Sequence, residues 1–290
     1  GVMNATVTHA GFSGFDDAAA DAAGVRTPQP YGATVAQDLE PEYIATSHDS
    51  KTAWVALQEN NALAIVDIRS ATVTGLVGLG CKDHSIDGNG LDASNRDDAI
   101  NIATWPVCGL HMPDAITAYR SRGTTWLVTA NEGDFRVDDG DRIRVKDLDP
   151  DNFSTDLENA LIAQYGSVAN ALLDENLGRL RVQDLDGIAD NPTQTEIYDD
   201  LLMPGTRSIS IWNASTGELV GDTGSLEGLL LSLTPEMHNA QDGTPDEFDS
   251  RSDDKGPEPE ALTVAEIDGD WIAFIGLERQ NGLLAFNITD

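Results

Sequence analysis

The chain repeats one pattern three times, as PEYIATSHDSKTAWVALQE at residues 41–59, PDAITAYRSRGTTWLVTANE at residues 113–132 and PEALTVAEIDGDWIAFIGLE at residues 259–278. Each copy begins with proline and an acid, carries a tryptophan inside and ends on a glutamate. The two acids stand 17, 18 and 18 positions apart in the three copies. A unit that recurs in this way indicates a repeat architecture, and the repeat therefore decides the fold class.

The copies have the composition of short antiparallel strands separated by polar turns. In the first copy and the residues after it, strands are predicted at residues 43–47, 52–57, 62–68 and 72–79. The last copy predicts strands at residues 262–267, 271–277 and 283–288. We therefore predict an all-β chain in which each copy forms one blade of a β-propeller.

The middle copy contains an insertion. Its first two strands are predicted at residues 116–120 and 125–130, but the third is delayed until residues 207–212. Within the insertion, at residues 135–206, apolar positions at helical spacing over residues 154–173 predict one or two helices, with Ser154 or Thr155 as the cap. Residues 1–38 form a lead-in with a short helix near residues 16–23. The whole chain, residues 1–290, is predicted to be one propeller-like domain.

The number of blades has a physical consequence. Propellers close their rings with four to eight blades, because an open arc exposes apolar blade faces at both ends. Three blades predict a fragment of a larger ring. The partners we expect are the remaining blades of the same propeller, or another chain that completes the ring.

The charge balance excludes some classes of partner. With 50 acidic and 17 basic residues, the formal net charge is −33. This field repels nucleic acid and anionic membranes, and no apolar run is long enough for a membrane helix. We therefore expect no nucleic-acid partner and no membrane insertion in this segment. In the alternative interpretation, the acidic residues form only a solvent-exposed, charged surface.

The repeated acids have a common location. Consecutive antiparallel strands bring the start of the first strand and the end of the second to the same edge of a sheet. The predicted metal ligands at one mouth of the channel are Glu42, Glu59, Asp114, Glu132, Glu258, Glu260 and Glu278. Such oxygen ligands favour calcium, while magnesium, manganese and iron are alternatives. A purely structural network of ion pairs, with Arg136, Lys255 and Arg279 as the neutralising cations, is the competing interpretation.

Two other features are less specific. The Asp-rich loops at residues 92–98, 138–141 and 246–254 have the ligand density of calcium loops, although none follows the helix-loop-helix template. Cys81 and Cys108 lie in a loop-rich stretch without zinc-ligand spacing. They form either a disulfide bond, which an oxidising compartment permits, or two free buried thiols.

Several longer motifs occur along the chain: LEPEYIA at residues 39–45, LQENNALA at 57–64, KDHS at 82–85, GNGLDAS at 88–94, TANEGD at 129–134, DSRSDDKGPEPE at 249–260 and GLER at 276–279. Together they resemble the motifs of a known family, the choice-of-anchor I domain proteins. The resemblance covers nearly the whole chain. It implies an exported, propeller-like protein held at a bacterial surface, hence an extracellular, cell-surface or periplasmic location.

The chain departs from the family in two respects. Members usually carry further blades with their own acidic motifs and a C-terminal anchor, and we expect these parts to lie outside residues 1–290. Cys81 and Cys108 stand where aromatic residues are usual, which supports a disulfide between them.

Two functions are therefore weighed. The first is a noncatalytic surface module that binds divalent cations, and with them a glycan or protein partner. The second, favoured by the alkaline-phosphatase label of some family members, is a metal-dependent, phytase-like phosphoester hydrolase. Its candidate catalytic residues are Glu132, Arg279 and Lys255, with the last two binding a phosphoester.

Overall fold

A computed structural model describes residues 6–27, 33–136, 140–184 and 197–289. The fold is mostly β, with several antiparallel sheets and few helices. The predicted lead-in and insertion each extend in part outside the described residues, as does the Asp-rich loop at residues 138–141.

The lead-in packs on the first sheet. It contains α1 (Asp17–Ala22) and α2 (Val35–Asp38). The side chain of Asp16 caps α1 by accepting a hydrogen bond from the backbone of Ala19 at 3.0 Å. Ala20 and Val35 lie in one buried cluster with Leu57, so the helices cover one face of that sheet.

The first repeat forms a four-stranded antiparallel meander. Its strands are β1 (Pro41–Thr46), β2 (Thr52–Leu57), β3 (Ala62–Asp67) and β4 (Thr72–Gly78). The turns between them use left-handed backbone at Ser50, Asn61 and Ala71. All four predicted strands are confirmed, with ends that differ by at most two residues.

A small sheet follows, and it contains both cysteines. Its first two strands are β5 (Cys81–Asp83) and β6 (Cys108–Leu110), and a third strand from the insertion pairs with β6. Cys81 is bonded to Cys108 by a disulfide. The segment between them adds buried Leu91 and Trp105 to a hydrophobic core, so this predicted loop is a packed part of the fold.

The second repeat begins with β7 (Ala115–Ser121) and β8 (Thr124–Asn131). The insertion then supplies β9 (Arg142–Arg144), α3 (Thr155–Tyr165), α4 (Val168–Ala171), β10 (Arg181–Gln183) and β11 (Leu202–Pro204). The sheet resumes with β12 (Ser208–Asn213) and β13 (Leu219–Asp222), in the order β13-β12-β8-β7. The third strand is thus delayed as predicted, whereas β13 was not predicted.

Residues 154–173 form two helices, within the prediction of one or two. Ser154 caps α3, as predicted, but Gly166 ends it with a φ of 79°. An L-residue with a side chain adopts that left-handed conformation at a cost, so glycine favours termination here. Leu157 and Leu161 of α3 pack with Leu91 and Trp105 in the insertion's own core.

The third repeat follows α5 (Glu227–Leu233) and forms β14 (Pro259–Ile267), β15 (Asp270–Leu277) and β16 (Gly282–Asn287). The three large sheets are stacked in series, with β7 in contact with both β1 and β14. Trp54 and Leu127 share the core between the first two sheets, and Val128 and Ile275 share the core between the last two. The described residues form no closed ring, so the propeller and its blade number stay predictions.

Candidate functional site

Strand register brings the repeated acids to one edge of the sheets. Pro41 pairs with Leu57 and Pro259 with Leu277, so the acids after each proline and each second strand lie at the same end. Because β7 contacts both β1 and β14, these ends meet. We call this surface the acidic face; it consists of Glu42, Glu59, Asp114, Glu132, Asp134, Glu258, Glu260 and Glu278.

Glu258 is the most heavily paired acid of this face. Its carboxylate is fully buried and contacts three cations: Arg279 Nε at 3.1 Å, Arg251 Nε at 3.0 Å and Lys255 Nζ at 3.1 Å. Burial opposes ionisation of Glu258, but these positive charges outweigh it and lower its pKa to about 2. Glu258 is therefore a fixed negative charge at neutral pH.

Glu132 shares Lys255 with Glu258. Its Oε1 accepts a hydrogen bond from Lys255 Nζ at 2.6 Å, and its Oε2 accepts one from Gln58 Nε2 at 3.1 Å. Burial nevertheless raises the pKa of Glu132 to about 8, with the charge of Glu258 adding to the rise. Burial opposes the positive charge of Lys255, but the charges of Glu132, Glu258 and Asp134 outweigh burial and raise the pKa of Lys255.

Three carboxylates of the acidic face, from two of the repeats, lie close together. Glu132, Glu258 and Glu278 each offer a carboxylate oxygen within 4.8 Å of the other two. Glu278 also forms an ion pair with Arg279 Nη2 at 3.1 Å, and burial and the charge of Glu258 raise its pKa. We call these three residues the tight group.

The rest of the face has little compensating charge. Partial burial and the charges of Glu59 and Asp114 raise the pKa of Glu42 to about 7, although Glu42 is exposed on one side. Burial also raises the pKa of Asp114, which shares a hydrogen bond with Glu42. Among the described residues, none of Glu42, Glu59 and Asp114 makes an ion pair. Without a nearby cation, the raised pKa values of Glu42 and Glu59 bring protonation of these carboxyls close to neutral pH.

Glu59 is the buried member of these unpaired acids. Its Oε2 has no hydrogen-bond partner in the described structure, and burial raises its pKa to about 7. The charge of Glu40 adds to this rise. A buried carboxylate oxygen without a partner is costly, so this position favours either a proton or a bound cation.

Not every predicted residue joins the tight group. Glu260 lies near enough to Glu278 for its charge to contribute to the raised pKa, but offers no oxygen to the group. Arg136, expected as a neutralising cation of the cluster, instead binds Asp38 at 2.9 Å and lies 3.6 Å from Glu40.

Two residues that contact the acidic face were not predicted from the sequence. Gln58 precedes the predicted ligand Glu59, and its side chain crosses to Glu132 of the next repeat. Arg251 lies in the DSRSDDKGPEPE motif with Lys255, and it binds Glu258. The dense basic and acidic residues of that motif were the only signal that could have pointed to Arg251.

Comparison with known proteins identifies the family. The choice-of-anchor I domain matches residues 1–290, and the chain belongs to that family. It is 29% identical over 288 residues to the mesenchyme-specific cell surface glycoprotein of Strongylocentrotus purpuratus, covering 90% of this chain and 36% of that protein. It is 34% identical over 121 residues to gigasin-3a of Magallana gigas, covering 40% of this chain and 41% of that protein. The chain thus spans well under half of these relatives.

A solved structure gives no further argument. Hydrazine synthase of Kuenenia stuttgartiensis aligns with 84% of this chain and 46% of its own, at 11% identity and a TM-score of 0.23. That similarity is too low to support a statement about fold or function. Within the described residues, no helix has the length and apolar character needed to cross a bilayer.

Proposed function

We propose that the chain is part of an exported surface or secreted propeller module whose acidic face binds a divalent cation, with calcium preferred. This proposal rests on the convergence of Glu132 from the second repeat with Glu258 and Glu278 from the third. Membership of the family and the similarity to a cell-surface glycoprotein support an extracellular, cell-surface or periplasmic location. The Cys81–Cys108 disulfide is consistent with an oxidising compartment.

The ligand chemistry favours a hard cation. The tight group offers only carboxylate oxygens, and calcium accepts six to eight oxygens in flexible geometry. Glu42 and Asp114 lie on the same face, so their oxygens are further potential ligands once the two carboxyls are ionised. Magnesium demands stricter geometry and retains its water, which makes it a weaker candidate, as are manganese and iron.

Lys255 is the competitor of such an ion. Its ammonium group already contacts Glu132 and Glu258, and it lies 3.8 Å from Asp134. An ion that enters the tight group must share these oxygens with the ammonium group. We therefore expect calcium affinity to rise when the positive charge of Lys255 is removed.

Isothermal titration with calcium, magnesium and manganese tests the proposal. The expected result is calcium binding that Glu132→Gln weakens by about 10-fold or more, since ligand charge sets the affinity of calcium sites. Glu266→Gln is the matched control, because Glu266 lies on β14 opposite Trp271, away from the acidic end of the strand. Equal affinities for both variants and the unchanged chain, or no calcium binding at all, would contradict the proposal.

The second candidate is a metal-dependent phosphoester hydrolase. It is favoured by one observation: Arg279, whose side chain is 23% exposed, lies beside Glu278 and the tight group, where a phosphate could approach it. Phosphomonoester hydrolysis assayed with and without calcium separates the candidates. Calcium-dependent turnover lost in Glu132→Gln would replace the binding-only function by the hydrolase.

Exposed apolar residues on the third sheet support a partner that packs against it. Leu283 of β16 is 71% exposed, and Ile267 at the end of β14 is also exposed. Apolar side chains at the end of stacked sheets support packing against further blades of the same propeller or of another chain. A glycan or phosphoester ligand at the acidic face is part of the same proposal.

A further inference from the structure

Two long Asp-rich loops meet at a buried group outside the acidic face. Asp92 belongs to the loop at residues 92–98 and Asp249 to the loop at residues 246–254, and His238 lies between α5 and that second loop. Each offers one ligand atom within 4.8 Å of the other two. Asp92 is 0% exposed and His238 is 1% exposed, and His238 Nε2 lies 3.2 Å from Asp92 Oδ2.

This buried group lacks a compensating cation. Within the described ranges, Asp92 forms an ion pair only with His238, which is positive only if protonated, and Asp249 forms none. His238 Nδ1 is buried and has no hydrogen-bond partner there. Two buried carboxylates beside an imidazole without a cation are unfavourable unless protons or a metal ion neutralise them.

The ligand atoms are held in place by their surroundings. Arg207, which is fully buried, donates from Nη1 to the carbonyl oxygen of Asp92 at 2.8 Å and from Nη2 to that of Ser252 at 2.8 Å. It thereby joins the two loops. Ser252 Oγ donates to Asp249 Oδ1 at 2.5 Å, and the Asp249 backbone N–H donates to the carbonyl oxygen of His238 at 2.9 Å.

We propose that Asp92, His238 and Asp249 form a second metal site, distinct from the acidic face and selective for zinc-class ions over calcium. The reason is the donor set, because an imidazole nitrogen with carboxylate oxygens suits zinc, whereas calcium prefers oxygen alone. Since Asp92 and His238 are almost wholly buried, the ion would be structural. It would hold the two loops together at a place already bridged by Arg207.

Titration of the whole chain with zinc alone tests this site. We expect one equivalent to bind, and His238→Gln and Asp249→Asn each to weaken it by more than about 100-fold, the upper end of the cost of losing an outer-shell partner. Asp246→Asn is the matched control in the same loop, since Asp246 is exposed and outside the group. Zinc affinity unchanged in His238→Gln, or lowered equally in Asp246→Asn, would overturn the proposal.

A measurement on the unchanged protein covers the case in which the variants fail to fold. Anomalous diffraction at the zinc edge is expected to show one peak among Asp92, His238 and Asp249. A peak only elsewhere, or none, would overturn the site. Glu132→Gln is expected to leave zinc affinity unchanged, so loss of the calcium proposal and loss of the zinc proposal are separate outcomes.

Discussion

Replacing Lys255 by methionine perturbs the centre of the acidic face. Lys255 is 8% exposed and its Nζ lies 2.6 Å from Glu132 and 3.1 Å from Glu258. Loss of one partner of a buried ion pair costs about 3 to 5 kcal/mol. Glu258 keeps Arg251 and Arg279, and Glu132 can take up a proton because its pKa is about 8. We therefore expect the lower end, a fall of about 3 kcal/mol in the free energy of unfolding.

Urea denaturation at neutral pH, first with a chelator and then with calcium, measures both consequences. With the chelator, Lys255→Met is expected to unfold at lower urea. Calcium is expected to stabilise the variant more than the unchanged chain, because the ion no longer competes with an ammonium group. At 100 times its dissociation constant, a ligand adds about 2.7 kcal/mol.

The matched control is Lys51→Met. Lys51 Nζ lies 3.0 Å from Asp49, but the two side chains are 77% and 54% exposed. An exposed pair of this kind contributes about 0 to 1 kcal/mol. The prediction is wrong if Lys255→Met lowers the free energy of unfolding no more than Lys51→Met does. It is also wrong if calcium stabilises Lys255→Met less than the unchanged chain.

The other predictions concern pH and the disulfide bond. With a chelator present, the free energy of unfolding should decrease as the pH rises from about 5 to about 8. The reason is that Glu42, Glu59 and Glu132 have pKa values of about 7, 7 and 8 in the folded state, whereas the unfolded chain releases these protons near pH 4.5. Urea midpoints across this range test the sign; a rise with pH would contradict it, and calcium should flatten the slope by displacing these protons. The double variant Cys81→Ser, Cys108→Ser should lose about 3 kcal/mol, since the disulfide closes a loop of moderate length in the unfolded chain. A thermal denaturation that matches the unchanged chain would exclude this contribution.

Much of the fold could be predicted because local signals agree with the tertiary structure. Polar turns separate strong apolar runs in the first and third repeats, and the turns at Ser50 and Asn61 lie where the strands end. The delayed third strand was also predicted, since the run at residues 207–212 has strand composition. The break at Gly166 was not predicted, because helical periodicity continues across it and only the backbone conformation reveals it.

The acidic face could be placed but its partners could not. Strand direction alone put the repeated acids at one edge, whereas the contact of Gln58 with Glu132 depends on how two sheets pack. The same limit applies to Asp92 and His238, which are separated by 146 positions and meet only through the packing of two loops. Sequence composition marked both loops as rich in ligands, but it contains no information on which residues meet.

The electron density of crystals grown with calcium would show whether the acidic face binds this ion. We expect an ion bound to oxygens of Glu132, Glu258 or Glu278 at about 2.3 to 2.6 Å, the usual distance for calcium. We also expect Lys255 Nζ to move away from Glu132. Density that shows only the Lys255 contacts, with no ion at the acidic face at saturating calcium, would exclude calcium binding there.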